Sequence, residues 1–316
     1  MISFYLLIKI NSIQNITIRN YLKPIGFLGD ENIVKKFAIT LMSLIFINLY
    51  YPTAFSEKPN QRMMKNQATH SLKSKNTMQL SIQKIIDKKD KKLVLIKLID
   101  TKNNKPITLN DLIEAHTQKI HLLIIDDNLL DYSHVHPVET TKPGIYQFEW
   151  QPTLKRASYR AWADLIPTNT KTQEYVVADL PSPKTKKKLE NHIHRQLLFE
   201  STVDGYHFKL SFDKTPLHVG QAVMGKIDIT DAKENPVHTL EPIMGAYAHI
   251  VGFNEDFKTV THVHPMGKEP TNNTERGGPE LLFHIEPNKV GFIKMFAQVQ
   301  INGKTLFVPF GVTVNS

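Results

Sequence analysis

The chain carries one pattern twice. His121 is followed thirteen residues later by His134-Val135-His136-Pro137, and His249 thirteen residues later by His262-Val263-His264-Pro265. Six of the fourteen histidines therefore sit in two copies of H-x12-H-x-H-P. A spacing repeated without change implies an internal duplication. The fold must then be one that fits twice into 316 residues and places three imidazoles together in each copy.

Runs of strand character recur through both halves. Leu93–Leu98, Ile120–Ile125, Asp131–His136, Ile145–Trp150, Ser158–Leu165 and Tyr175–Ala178 fill the first. Phe208–Phe212, Val223–Ile229, Ala248–Phe253, Val260–His264, Leu281–Ile285, Phe292–Gln300 and Leu306–Val314 fill the second. The turn Asp100–Pro106 matches Asp231–Pro236, and Ala161-Trp162-Ala163 matches Met295-Phe296-Ala297. Short runs divided by turn residues are the signature of sandwiches and barrels. Only Leu109–Ala115 reads as a short helix. The expected fold is all-β: two tandem immunoglobulin-like β-sandwich domains after a signal peptide.

The boundaries follow from composition. Residues 34–56 hold a basic start (Lys35, Lys36), an apolar run (Phe37 to Tyr51) and small residues at Ala54 and Ser56. That order is a secretory signal peptide, and the run is too short for a comfortable membrane span. Residues 1–33 read as an extension preceding the true start. Residues 57–78 are a polar, flexible tail. Residues 79–180 form domain 1, the Pro- and Lys-rich 181–195 a linker, and 196–316 domain 2. Each half is expected to have its own core. The mature chain is expected to be periplasmic or secreted, with no membrane span.

The formal charge of +9 does not point to nucleic acid. The lysines are dispersed among acidic residues, and no helix-turn-helix, RNP-like or P-loop pattern occurs. Net charge of this kind serves solubility. The chain has no cysteine, which excludes disulfides, thiolate nucleophiles and copper-thiolate centres. No G-x-S-x-G is present. His134-Val135-His136-Pro137-Val138-Glu139 superficially resembles a cupin metal motif, but the glutamate is one residue too close. An enzyme is not expected.

The histidine pattern has a direct geometric meaning. Residues i and i+2 of a strand face the same side, so His134 and His136 point together, as do His262 and His264. The thirteen-residue gap suits a hairpin. Asp127 opposite Leu130 puts His121 opposite His136; a two-residue slip puts it opposite His134. Either register leaves three imidazoles on one face, about 4.5–5.5 Å apart between neighbouring Cβ atoms. A one-residue slip would destroy the group. The expectation is one metal ion per hairpin, held by His121, His134 and His136 or by His249, His262 and His264. Imidazoles without thiolate suit copper or zinc. His116 and Met244 stand five residues before the first histidine of each copy and are candidate fourth ligands. Met266, Asp164 and Glu114 rank lower. His284 reads as structural, and His192-x-His194 lies in the linker without a partner strand. Binding needs neutral imidazoles, so affinity is expected to fall below about pH 6.5.

A different reading of the same residues keeps His-Val-His-Pro as a structural corner, its N–H groups bonded to turn carbonyls. The chain would then be an envelope scaffold or adhesin-like interaction module, partnered by another envelope protein and not by a metal ion.

Met244-Gly245-Ala246-Tyr247-Ala248-His249, then His262-Val263-His264-Pro265, then Gly278-Pro279-Glu280-Leu281-Leu282-Phe283 resemble a group of bacterial secreted or membrane-anchored proteins. Related domains are similar to YtkA-like and copper-resistance β-sandwich modules. The resemblance covers most of 220–316 and, less closely, 93–180. It implies an extracytoplasmic β-sandwich linked to heavy-metal handling. The group usually has an aliphatic residue where Met244 stands.

Overall fold

A computed structural model describes residues 76–154, 157–180 and 193–316. The signal segment 34–56, the extension 1–33, most of the tail 57–78 and most of the linker 181–195 lie outside the described residues. No described helix is long and apolar enough to cross a membrane.

The first sandwich contains β1 (Met78–Asp87), β2 (Lys92–Asp100), β3 (Leu112–Ile113), β4 (His121–Asp126), β5 (Tyr132–Val135), β6 (Val138–Glu139), β7 (Ile145–Trp150), β8 (Tyr159–Pro167) and β9 (Glu174–Leu180). One of its sheets runs β1-β2-β7-β6, and the other runs β3-β8-β4-β5 with β9 on β8. The helix expected over Leu109–Ala115 is a single 3-10 turn, Leu109–Asp111. It stops because Leu112 is buried and pairs with Pro167 in β3.

The second sandwich repeats the plan with β10 (Glu200–Val203), β11 (Tyr206–Phe212), β12 (Leu217–His218), β13 (Val223–Thr230), β14 (Leu240–Glu241), β15 (His249–Asn254), β16 (Val260–Met266), β17 (Glu280–Ile285), β18 (Gly291–Ile301) and β19 (Lys304–Asn315). Its sheets are β10-β11-β13-β17-β16 and β16-β15-β18-β19-β12, with β14 on β18. β16 belongs to both. Its first half pairs with β15 through Thr261 and His262, and its second half pairs with β17 through Val263 and His264. The first sandwich makes the same crossover with a break: β5 pairs with β4, and β6 with β7. His-Val-His-Pro is thus the place where the chain leaves one sheet for the other.

Each sandwich has an apolar interior. Val94, Ile96, Leu122, Ile124, Phe148 and Ala161 are among the buried residues of the first, and Ile227, Ile250, Phe283, Met295 and Phe310 of the second. A third cluster joins the two. Leu123, Ile125, Leu129, Tyr132 and Trp162 pack against Val251, Phe253 and Phe296. All six residues of β4 are buried, because Leu122 and Ile124 face one core and Leu123 and Ile125 the other. The two sandwiches stack through the sheets that carry the histidines.

The hairpin that presents the first motif is tied by a carboxylate. Asp126 is fully buried and accepts bonds from the amides of Asn128 (3.0 Å), Leu130 (2.6 Å) and Asp131 (2.8 Å). Asp126→Ala leaves three donors to water and should cost about 2 kcal/mol. Denaturant titration would measure it, and an unchanged midpoint would refute this role.

Candidate metal centre

His121 opens β4 on the face of Leu123 and Ile125, toward the second sandwich. Tyr132, His134 and His136 alternate onto the same face. The hairpin register pairs Leu122 with Val135 and Leu123 with His134. Continued one step, it sets His121 level with His136. One nitrogen from each of the three rings lies within 4.8 Å of the others. His121 Nδ1 is 3.1 Å from His134 Nε2 and 3.2 Å from His136 Nε2.

The outer nitrogens fix the inner ones. His121 Nε2 donates to the carbonyl of Ala115 at 2.8 Å. A carbonyl can only accept, so His121 Nδ1 carries a lone pair. His134 Nδ1 donates to Gln298 Oε1 at 2.8 Å, which leaves a lone pair on His134 Nε2. Two lone pairs therefore face each other across 3.1 Å. Imidazoles that ligate metals are oriented this way by second partners. Three nitrogens on a tetrahedral ion at about 2.0–2.1 Å stand about 3.3 Å apart, close to the two spacings that involve His121; the third pair lies within 4.8 Å.

The site also resists protons. Burial, above all, pushes His121 down to about 4, with His136 and His116 adding in the same direction against the Ala115 bond. Burial pushes His134 down to about 3, reinforced by His121 and His136 and opposed by Gln298. His136 is lowered by burial as well. The expected loss of metal near pH 6.5 therefore moves to lower pH, because the folded chain already holds these rings neutral.

Asp164 stands opposite His121 in the ladder between β4 and β8. Burial raises its carboxyl to about 6, against bonds from Gln173 and Tyr175. It is not part of the close nitrogen group, and Glu114 is exposed. His284 pairs with His264 in the ladder between β16 and β17.

The second copy has the same hairpin register. His249 opens β15 opposite Gln298, and Val251 pairs with His262. β16 also pairs with β17, which sets His264 opposite His284 with ring centroids 6.3 Å apart, while the register of β16 with β15, continued two steps, sets His264 level with His249. His249 also lies beside the first motif. Its ring centroid is 4.6 Å from that of His134, and it stacks on His121 at 6.0 Å. Met244 and His116 occupy equivalent tight turns, both with positive φ. The sequence grouped the histidines by domain; the fold in addition brings His249 up to the histidines of the first domain. Gln298, as the orienting partner of His134, was missed. Its only signal was its position opposite the first histidine of its own copy.

A family model for a domain of unknown function, DUF8832, matches residues 72–179 and again residues 201–316. The chain belongs to the DUF8832 family. Its two DUF8832 segments coincide with the two sandwiches, so the duplicated spacing is a duplicated domain. No curated protein matches this DUF8832 chain. Among solved structures, domains 4 and 5 of the S-layer protein SbsC align over 50% of it at 12% identity and TM-score 0.20. InvD of Yersinia pseudotuberculosis aligns over 77% at 12% identity and TM-score 0.23. The D00-D0 domain of intimin aligns over 76% at 11% identity and TM-score 0.21, covering 100% of that chain. The DUF8832 chain spans 65% of the SbsC structure and 58% of the InvD structure.

Proposed function

We propose that this is an exported metal-binding protein, a carrier or sensor for copper or zinc and not an enzyme, in which His121, His134 and His136 hold the ion. One observation carries the reading. Three imidazole nitrogens converge in a buried place, with the far nitrogens of His121 and His134 already bonded to Ala115 and Gln298. A cation between the lone pairs would relieve their repulsion, and the outer bonds would strengthen the ligands. Export rests on the signal pattern at 34–56. Kinship with YtkA-like and copper-resistance modules belongs to the same proposal.

The test is titration of Zn(II) and Cu(II) into the protein and its variants. His121→Ala and His136→Ala should each weaken binding on the order of 100-fold or more, beyond what loss of an outer partner costs. Metal at 100 times its dissociation constant should stabilise the wild type by about 2.7 kcal/mol. Wild-type binding no tighter than that of either variant would end the proposal.

A second reading has its own observation. His134 bonds Gln298 across the two sandwiches, so the rings could serve as a polar seam in a scaffold or adhesin-like module. His134→Ala would then destabilise the metal-free protein while zinc and copper left every melting curve unmoved.

A further inference from the structure

We propose a second metal site, formed across the two sandwiches by His116, Met244 and His249 and suited to monovalent copper. It shares no ligand with the triad, although the His249 ring lies beside those of His134 and His121.

The site begins with two matching turns. Ala115 and Gln118 exchange both backbone bonds (2.8 and 3.0 Å), as do Ile243 and Ala246 (2.7 and 3.1 Å). The residues between are left-handed: His116 at φ 49° and Thr117 at 66°, Met244 at 52° and Gly245 at 79°. Two consecutive positive φ values define the tight turn that normally takes Asn or Gly. Here a histidine and a methionine hold the first place. The turns abut, since a Cβ on Gly245 would lie 3.9 Å from Thr117 Cγ2. Backbone strain placed on two metal-capable side chains is a reason to look for a ligand between them.

Such a space exists. A cavity of about 10 Å³ is lined by His116, Met244 and His249, with Ile250, Val263 and Pro265 among the apolar remainder. That is about the room one water-sized particle needs. The rings of His116 and His249 are 6.3 Å apart between centroids, at 79° to each other. An ion about 2 Å from a ring nitrogen lies about 3 Å from the centroid, so two rings holding it from nearly opposite sides span about 6 Å, the arrangement a two-nitrogen Cu(I) site takes.

The donors decide the ion. A thioether with imidazoles is a soft, neutral set. The lining holds no carboxylate, and a single positive charge costs less than a double one among apolar walls. The thioether favours monovalent copper over zinc, and hard cations find no side-chain oxygen donor in the lining. His116 is exposed, so the ion has a way in and out.

The full chain would be titrated with Cu(I) against a chromophoric chelator, and with Zn(II) in parallel. Met244→Leu and His116→Ala should each lower Cu(I) affinity at least tenfold and leave Zn(II) affinity within twofold. His136→Ala should do the reverse. X-ray absorption of the wild type with one equivalent of Cu(I) should show a sulfur neighbour, absent from Met244→Leu. The chain has no cysteine, so that sulfur must be a thioether. A copper shell of nitrogen alone in the wild type overturns the proposal, whatever the variants do. So does Cu(I) affinity in Met244→Leu equal to that of the wild type. Loss of the triad reading would appear separately, as Zn(II) binding untouched by His136→Ala.

Discussion

Lowering the pH of the metal-free protein from 7 to 5 is expected to remove about 3 kcal/mol of its stability. The folded chain holds His121 at about 4 and His134 at about 3, chiefly by burial. Unfolded, both titrate near 6.5. Between those values the unfolded state takes up protons that the native state refuses, so stability is full above 6.5 and falls as pH drops toward 4 and 3. At pH 5 each ring contributes a loss of about 2 kcal/mol. Asp164 acts the other way. Its carboxyl is raised to about 6, so the native state binds the extra proton and recovers about 1 kcal/mol. Lowered values at His116, His136 and His264 add to the loss. Denaturant unfolding with a chelator present, at both pH values, measures the sum. A flat profile would mean that the rings are not held neutral.

Phe253→Ala should cost about 3–5 kcal/mol, the usual range for a buried phenylalanine. Phe253 is 1% exposed and sits in the core shared by both sandwiches. Its ring lies 5.4 Å from both Tyr132 and Trp162, which belong to the other half. Ile250→Ala, inside the second sandwich alone, supplies the comparison. Unfolding followed by the fluorescence of Trp150 and Trp162 reports the first half through its midpoint, since both tryptophans lie there; the amplitude is not used, because Trp162 itself touches Phe253. Phe253→Ala should shift that signal although the substitution is in the second half. An unmoved tryptophan transition would show that the shared core contributes little.

Much of this was legible in the sequence. The repeated histidine spacing announced the duplication, and alternation around turn residues announced strands. The hairpin register was one of two that the spacing allowed, and Asp127 opposite Leu130 is the one adopted. The stacking of the halves was not read, although a sign of it was present. Ile120–Ile125 and Ala248–Phe253 are apolar almost without alternation, which is how a strand reads when both faces are covered. The crossover of β16 was invisible because Val263 and His264 look the same whichever sheet they join. The turns at His116 and Met244 hid for a related reason: neither pair has the Asn-Gly composition that usually marks such a turn.

The shared core has a further consequence, one of symmetry. Leu123, Ile125, Leu129, Tyr132 and Trp162 meet Val251, Phe253, Phe257, Val260 and Phe296. These are the same positions of the two copies: Leu123 and Val251 each follow the first motif histidine by two, and Ile125 and Phe253 by four. Tyr175 and Phe307 extend the set, each paired with the residue opposite that histidine, Asp164 or Gln298; Ile193 alone has no counterpart in it. A contact in which like meets like is isologous, the kind that closes a two-fold dimer. The chain has the internal plan of a homodimer whose subunits were joined end to end. Freed from its twin, one half would keep a face shaped to hold a copy of itself. The fused form differs from such a dimer in letting the two sides diverge, so that His116 stands where the other half has Met244, and Asp164 where it has Gln298.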